Sequence, residues 1–101
     1  MKDLTGDLIL QKLSESRNKI HEYGISRVGL FGSFVRGDQH KESDVDLLVE
    51  FQEGRKTYRN FMDFSDYIEK TLGRRVEILT PEALSPYIYP YVKKEIRYVQ
   101  I

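Results

Sequence analysis

The chain has 101 residues, of which 40% are hydrophobic and 32% charged, so it is expected to form one small, well-solvated domain with a single modest core. Sixteen basic and sixteen acidic residues cancel, which excludes a nucleic-acid binder that works by bulk positive charge. Cysteine is absent, which excludes a disulfide-stapled miniprotein, a cysteine zinc site and a cysteine nucleophile.

Taken in chain order, Asp7 to Tyr23 reads as a helix. Leu10, Leu13, Arg17 and Ile20 recur at three- and four-residue spacing, Ile9 adds to the apolar side, and Gly24 follows the end. Ser26 to Phe31 reads as a strand that stops at Gly32. Ser33 to Val35 reads as a single helical turn, and 37–43 as a polar loop. Asp44 to Phe51 is the clearest strand: Val45, Leu47, Val49 and Phe51 alternate with Asp44, Asp46, Leu48 and Glu50. Tyr58 to Leu72 is predicted helical, with Phe61, Phe64, Ile68 and Leu72 on one stripe and Gly73 ending it. Arg75 to Leu79 reads as a short strand. Thr80-Pro81-Glu82 has the form of a helix start, with a capping hydroxyl, a proline and an early acid. A turn at 86–89, a helix from about Pro90 to Arg97 and an edge strand over Tyr98 to Ile101 complete the chain. The expected fold is α/β of the α+β type: a small mixed sheet of three or four strands flanked by helices, all in one domain spanning 1–101.

The chemistry concentrates between residues 30 and 49. Asp44 and Asp46 lie two apart on a strand and point the same way, roughly 6–7 Å apart. Two such charges repel by about 2–3 kcal/mol at an effective dielectric of about 20, and a cation between them relieves that cost. Hard oxygen ligands suit Mg²⁺ or Mn²⁺. Between Glu42 and Glu50 there are four acids and no base. Glu77, on its short strand, is the natural third carboxylate, and two metal ligands with one base make a site for phosphoryl-type transfer. Gly32-Ser33 ends a strand and opens a helical turn, so its backbone N–H groups and the Ser33 hydroxyl can cradle phosphate. Arg36, one turn on, can reach the same anion or pair with Asp38 or Glu42. Ser43 can orient Asp44 by a side-chain hydrogen bond.

Gly32-Ser33-Phe34-Val35-Arg36-Gly37, a short spacer and Ser43-Asp44-Val45-Asp46-Leu47 together resemble the signature of the DNA-polymerase-β-like nucleotidyltransferases. Over about residues 7–99, with Arg75-Val76-Glu77-Ile78-Leu79-Thr80-Pro81-Glu82 included, the chain is similar to the minimal nucleotidyltransferases that act as antitoxins to HEPN RNases. The resemblance implies the minimal nucleotidyltransferase fold and transfer of AMP from ATP, with Mg²⁺ (or Mn²⁺), to a tyrosine of a HEPN RNase toxin, silencing it. Gly32, Ser33, Arg36 and Ser43 would then serve nucleotide binding. Asp44 and Asp46 would hold metal and serve catalysis, and Glu77 would fill the third-carboxylate position, as a further metal ligand or the base, where the family usually has Asp.

A competing reading is a non-catalytic antitoxin that senses nucleotide and neutralises its partner by binding alone. Transfer to a small drug molecule lacks an acceptor domain in this length, and a DNA-binding role lacks a basic recognition helix. His40 reads as a solvated loop histidine. Tyr87, Tyr89, Tyr91 and Tyr98 read either as core and edge packing or as a partner surface. No stretch approaches the ~18 apolar residues of a membrane span, so no membrane association and a cytoplasmic location are expected. The neutral total hides a division: residues 1–50 hold seven bases and nine acids, and residues 51–101 hold nine bases and seven acids.

Overall fold

A computed structural model describes residues 3–101. The elements are α1 (Gly6–Glu15), α2 (Arg17–Glu22), β1 (Ile25–Phe31), α3 (Ser33–Arg36), β2 (Val45–Phe51), α4 (Tyr58–Leu72), β3 (Val76–Leu79), a 3₁₀ turn (Pro81–Ala83), α5 (Tyr89–Glu95) and β4 (Arg97–Gln100). The strands form one mixed sheet in the order β3-β2-β1-β4. β1 runs antiparallel to both β2 and β4, whereas β2 and β3 are parallel, joined by the α4 crossover. The expected α+β architecture, a mixed sheet of three or four strands flanked by helices, forms with four strands.

Alternation along the strands divides the sheet into two faces. Val28, Leu30, Val45, Leu47, Val49 and Val76 are buried on one face against Ile9, Leu13 and Ile20 of α1–α2 and Phe64, Ile68 and Leu72 of α4. Fully burying each such side chain is worth about 1.5–3 kcal/mol, so this face carries most of the stability. The opposite face has only a small cluster, Phe31, Leu48 and Val92, with Leu79, Leu84 and Ile96 packed on it. The molecule is accordingly a slab of 37 × 34 × 20 Å. Its surface of 6636 Å² exceeds the roughly 6,000 Å² expected of a globule of this mass.

α4 spans the residues read from the pattern and ends at Gly73 in the left-handed region; Thr57 caps its start, Oγ1 accepting from Asn60 N–H at 3.1 Å. Some details differ from expectation; the last helix ends at Glu95, and Arg97, expected within it, already pairs with Leu30 in β4. The first helix breaks at Ser16 into α1 and α2, and its inward line runs through Ile9, Leu13 and Ile20, while Arg17 points to solvent. A charged head at the break stays hydrated, and the small Ser16 takes the half-buried place in the line. β2 starts at Val45, leaving Asp44 just ahead of the ladder. The Thr80-Pro81-Glu82 start yields one 3₁₀ turn only. Leu84 is already extended, Thr80 makes no side-chain cap, and Pro86 keeps the preceding residue out of the helical region.

Gly29, at the centre of β1, lies under the end of α5. A Cβ there would overlap Ile96 Cδ1 and crowd the Tyr98 ring. Gly29→Ala is therefore expected to lower stability by about 1–3 kcal/mol by displacing the Ile96 side chain and crowding Tyr98, a loss visible in urea unfolding.

Candidate functional site

Asp46 pairs with Phe31, the last residue of β1, on one side, and with Glu77 of β3 on the other. All three side chains stand on the thinly covered face. The Asp46 carboxyl is pushed up to about 6, first by its burial, then by Glu77, with a smaller push from Asp44 and partial relief from Arg36. Such a carboxylate is held in a place where it resists carrying its charge, and a bound cation would reverse that preference. The donor set fits Mg²⁺ or Mn²⁺ by its chemistry: hard carboxylate oxygens with no sulfur or imidazole among them. Among the described residues no three Asp, Glu or His side chains are gathered into a ready-made metal cage. Asp44, Asp46 and Glu77, the three carboxylates singled out in the sequence, are thus not gathered as one metal-ligating group.

The phosphate-type turn follows directly from β1. Gly32 has φ +83° and ψ −153°, a conformation essentially reserved for glycine, and a Cβ there would overlap Asp46 Oδ2. The carboxylate and the turn are thus in contact. α3 begins at Ser33 and its first internal bond is Val35 N–H to Gly32 O at 3.0 Å, so the N–H groups of Ser33 and Phe34 precede the helical ladder. Gly37 (φ +81°) lets the chain leave after a single turn. Arg36 makes the pairing with Asp38 that its sequence neighbourhood suggested, at 3.3 Å, but not with Glu42. It also reaches Glu95 of α5 at 3.2 Å. Both acids hold its guanidinium further into the charged form, Asp38 more than Glu95.

Ser43 is placed differently from expectation. Its hydroxyl accepts from His40 N–H at 2.9 Å and closes the 40–43 turn rather than reaching Asp44 directly. The turn is pinned from outside by Arg74, whose Nη1 donates to Ser43 O at 2.8 Å and His40 O at 3.3 Å, while its guanidinium sits 5.4 Å from the Phe34 ring. His40 Nδ1 accepts from Glu42 N–H at 3.2 Å, a local turn contact. Arg74 thus shapes the approach to Asp44 from a distant loop. Sequence pattern does not point to Arg74, because the carbonyls it meets are brought near only by the fold.

Glu50 leaves the acidic run. It lies at the other end of β2, bound by Arg27 at 2.6 Å, with Arg27 stacked 3.6 Å from the centre of the Tyr98 ring. A 280 Å³ cavity at that same far end is lined by Glu50, Gln52, Lys56, Thr80 and Glu82, away from Asp46. The carboxylates and the turn sit instead at the opposite end of β2, beside the end of β1. Around α5 the tyrosines resolve as surface: Tyr87 is 86% exposed and Tyr91 72%, with Ile88, Tyr89 and Tyr98 also exposed.

The nucleotidyltransferase domain family matches residues 10–99. The protein adenylyltransferase MntA of Thermococcus cleftensis is 35% identical over 97 residues, covering 95% of this chain and 97% of that relative. A solved structure described as a minimal nucleotidyltransferase superposes with a TM-score of 0.79 at 30% identity, covering 96% of this chain and 98% of the other. The fold also matches a chain of a solved complex described as a tri-AMPylated Shewanella oneidensis HEPN toxin with MNT antitoxin, with a TM-score of 0.60 at 14% identity over 88% of this chain and 70% of that one. A glycine turn in contact with a strand-borne aspartate, on a four-stranded sheet matched almost end to end, places this chain in the nucleotidyltransferase domain family, as a minimal enzyme of that class.

Proposed function

We propose that the chain transfers AMP from ATP to a tyrosine hydroxyl of a HEPN-family RNase partner and thereby silences it. The observation that carries this reading is the contact between Gly32 and Asp46, which joins a phosphate turn to a carboxylate that calls for a cation. The adenylyltransferase relative and the AMPylated HEPN complex support the choice of nucleotide and of partner class.

In this reading the Ser33 hydroxyl and the N–H groups that open α3 hold the triphosphate, and Arg36 faces its negative charge. Asp44 and Asp46 are the residues that would hold Mg²⁺ or Mn²⁺. Such an ion, when bound, lends Lewis-acid charge to the phosphates. Ser43 and Arg74 fix the loop from which Asp44 projects. The acceptor oxygen attacks the α-phosphorus and the bond from that phosphorus to the bridging oxygen of the β-phosphate breaks. Pyrophosphate leaves, and the hydroxyl proton passes to Glu77, which is exposed beside Asp46. Glu77 is one methylene longer than the aspartate common at this place, and reaches further from β3 toward an incoming hydroxyl. The acceptor is proposed to present its hydroxyl on the partner's own surface. The exposed Tyr87, Ile88, Tyr89 and Tyr91 are the surface proposed to meet it.

The test is to incubate the complex of this chain and its partner with ATP and Mg²⁺ and weigh the partner by mass spectrometry. Addition of whole AMP masses on tyrosine is expected. A partner that is tightly bound and inactive but unmodified would replace this reading with neutralisation by binding alone.

A further inference from the structure

We propose that Glu95 is a positioning residue for the nucleotide site, a role that rests on the adenylyl-transfer reading above. Glu95 is the last residue of α5, 63 positions from the glycine turn, yet its Oε2 accepts from Gly32 N–H at 2.6 Å. The same carboxylate accepts from Arg36 Nη1 at 3.2 and 3.3 Å. These are charge-assisted hydrogen bonds, the stronger kind, and they act on the two groups that bracket α3. No sequence pattern points to Glu95, because it lies in the cationic stretch Lys93-Lys94-Glu95-Ile96-Arg97 and far from the motif in the chain.

The placement is built rather than incidental. Val92 packs on Phe31 and Leu48, and Ile96 lies against Gly29, so one helix end is seated on β1 from both sides of Glu95. The side chain is 22% exposed, whereas Lys93 and Lys94 next to it face solvent. Glu95 and Asp46 then flank Gly32: one fixes its N–H and the other fills the space a Cβ would need. The contact uses only the Gly32 N–H and one nitrogen of Arg36. The Ser33 hydroxyl and the N–H groups of Ser33 and Phe34 remain ahead of the first helical bond at Val35. Glu95 thus sets the peptide plane between β1 and α3 before nucleotide arrives, and holds Arg36 at the edge of the turn. A carboxylate placed there only to mimic phosphate would compete with the nucleotide, which gives the opposite result in the same experiment.

That experiment titrates a non-hydrolysable ATP analogue with Mg²⁺ into the wild-type chain, Glu95→Gln and Glu95→Ala by calorimetry, and follows the Gly32 amide by ¹⁵N–¹H NMR. The wild-type amide is expected far downfield and moves upfield in Glu95→Ala. The analogue binds at least about tenfold more weakly to Glu95→Ala, and Glu95→Gln, which keeps an acceptor oxygen, recovers part of the loss. In the labelling reaction KM for ATP rises more than kcat falls. Equal or tighter analogue binding by Glu95→Ala overturns the proposal, tighter binding identifying a competing carboxylate. Should Glu95→Ala fail to fold, Glu95→Gln decides, with an affinity and an amide shift equal to wild type counting against. If the wild-type chain binds no analogue, the nucleotide reading fails by itself. The Gly32 amide then judges Glu95 alone, and an unmoved resonance overturns its role.

Discussion

Replacing Asp44 and Asp46 together by asparagine is expected to reduce AMP transfer to the partner by at least about 10³-fold, since metal-borne charge stabilisation is worth several kcal/mol and each 1.4 kcal/mol is about tenfold. The two substitutions keep the shape of the side chains and remove the charges that a divalent ion needs. On the proposed interface through the exposed Tyr89 and Tyr91, partner binding should be unchanged. Labelling at the wild-type rate, measured by transfer of radiolabelled AMP, would remove both carboxylates from the catalytic site.

The same carboxylates carry a cost in the metal-free chain, and its sign is fixed by the direction of the Asp46 shift. Below about pH 4, the ordinary aspartate value, Asp46 is protonated in both the folded and unfolded chain and contributes nothing to the difference. As pH rises toward about 6, the unfolded chain has ionised while the folded one resists, so stability falls. Asp46→Asn escapes that loss. In EDTA it is expected to be as stable as wild type near pH 4, and more stable above pH 6 by about 1 kcal/mol once solvent screening is allowed for, or roughly 4–8 °C in melting temperature. Mg²⁺ or Mn²⁺ should narrow the gap by stabilising the wild type alone. A gap that is constant from pH 4 to 8 would separate the substitution from the charge of Asp46.

Much of this site is legible in the residues themselves. Gly32, Ser33, Asp44 and Asp46 occupy two strand ends that are adjacent because β1 and β2 are antiparallel, and the short loop between them leaves few other arrangements. Alternation assigns Asp46 and Glu77 to the face opposite the main core before their register is known. α4 is read correctly from end to end because its stripe and its terminal glycine agree, whereas the Thr57 cap emerges only in the structure. What stays hidden depends on distance along the chain. Glu95 and Arg74 act on backbone groups 63 and 31–34 residues away, and a hydrogen bond to a peptide leaves no pattern in sequence. Glu50 misleads for the converse reason: it is close to Asp46 in sequence, yet strand geometry carries it to the far end of β2 and into the grip of Arg27.

Gly32→Ala is expected to produce the largest loss in both stability and activity from the removal of no functional side chain. At φ +83° and ψ −153° an alanine carries about 1–3 kcal/mol of backbone strain. Its methyl would also occupy the position of Asp46 Oδ2, so either the carboxylate leaves its place or the turn does. Moving the turn also breaks the Gly32 contact with Glu95. The sum should lower melting by about 10 °C or more and transfer by at least about 10²-fold, the usual cost of misplacing reacting groups by an ångström. Gly37→Ala is the matched control. Gly37 has nearly the same φ, +81°, but no atom lies within 4 Å of where its Cβ would stand. Its substitution carries only about 1 kcal/mol of left-handed strain and should leave transfer largely intact. If the two alanine variants lose activity equally, backbone strain is the cause, and the contact between Gly32 and Asp46 does not organise the site.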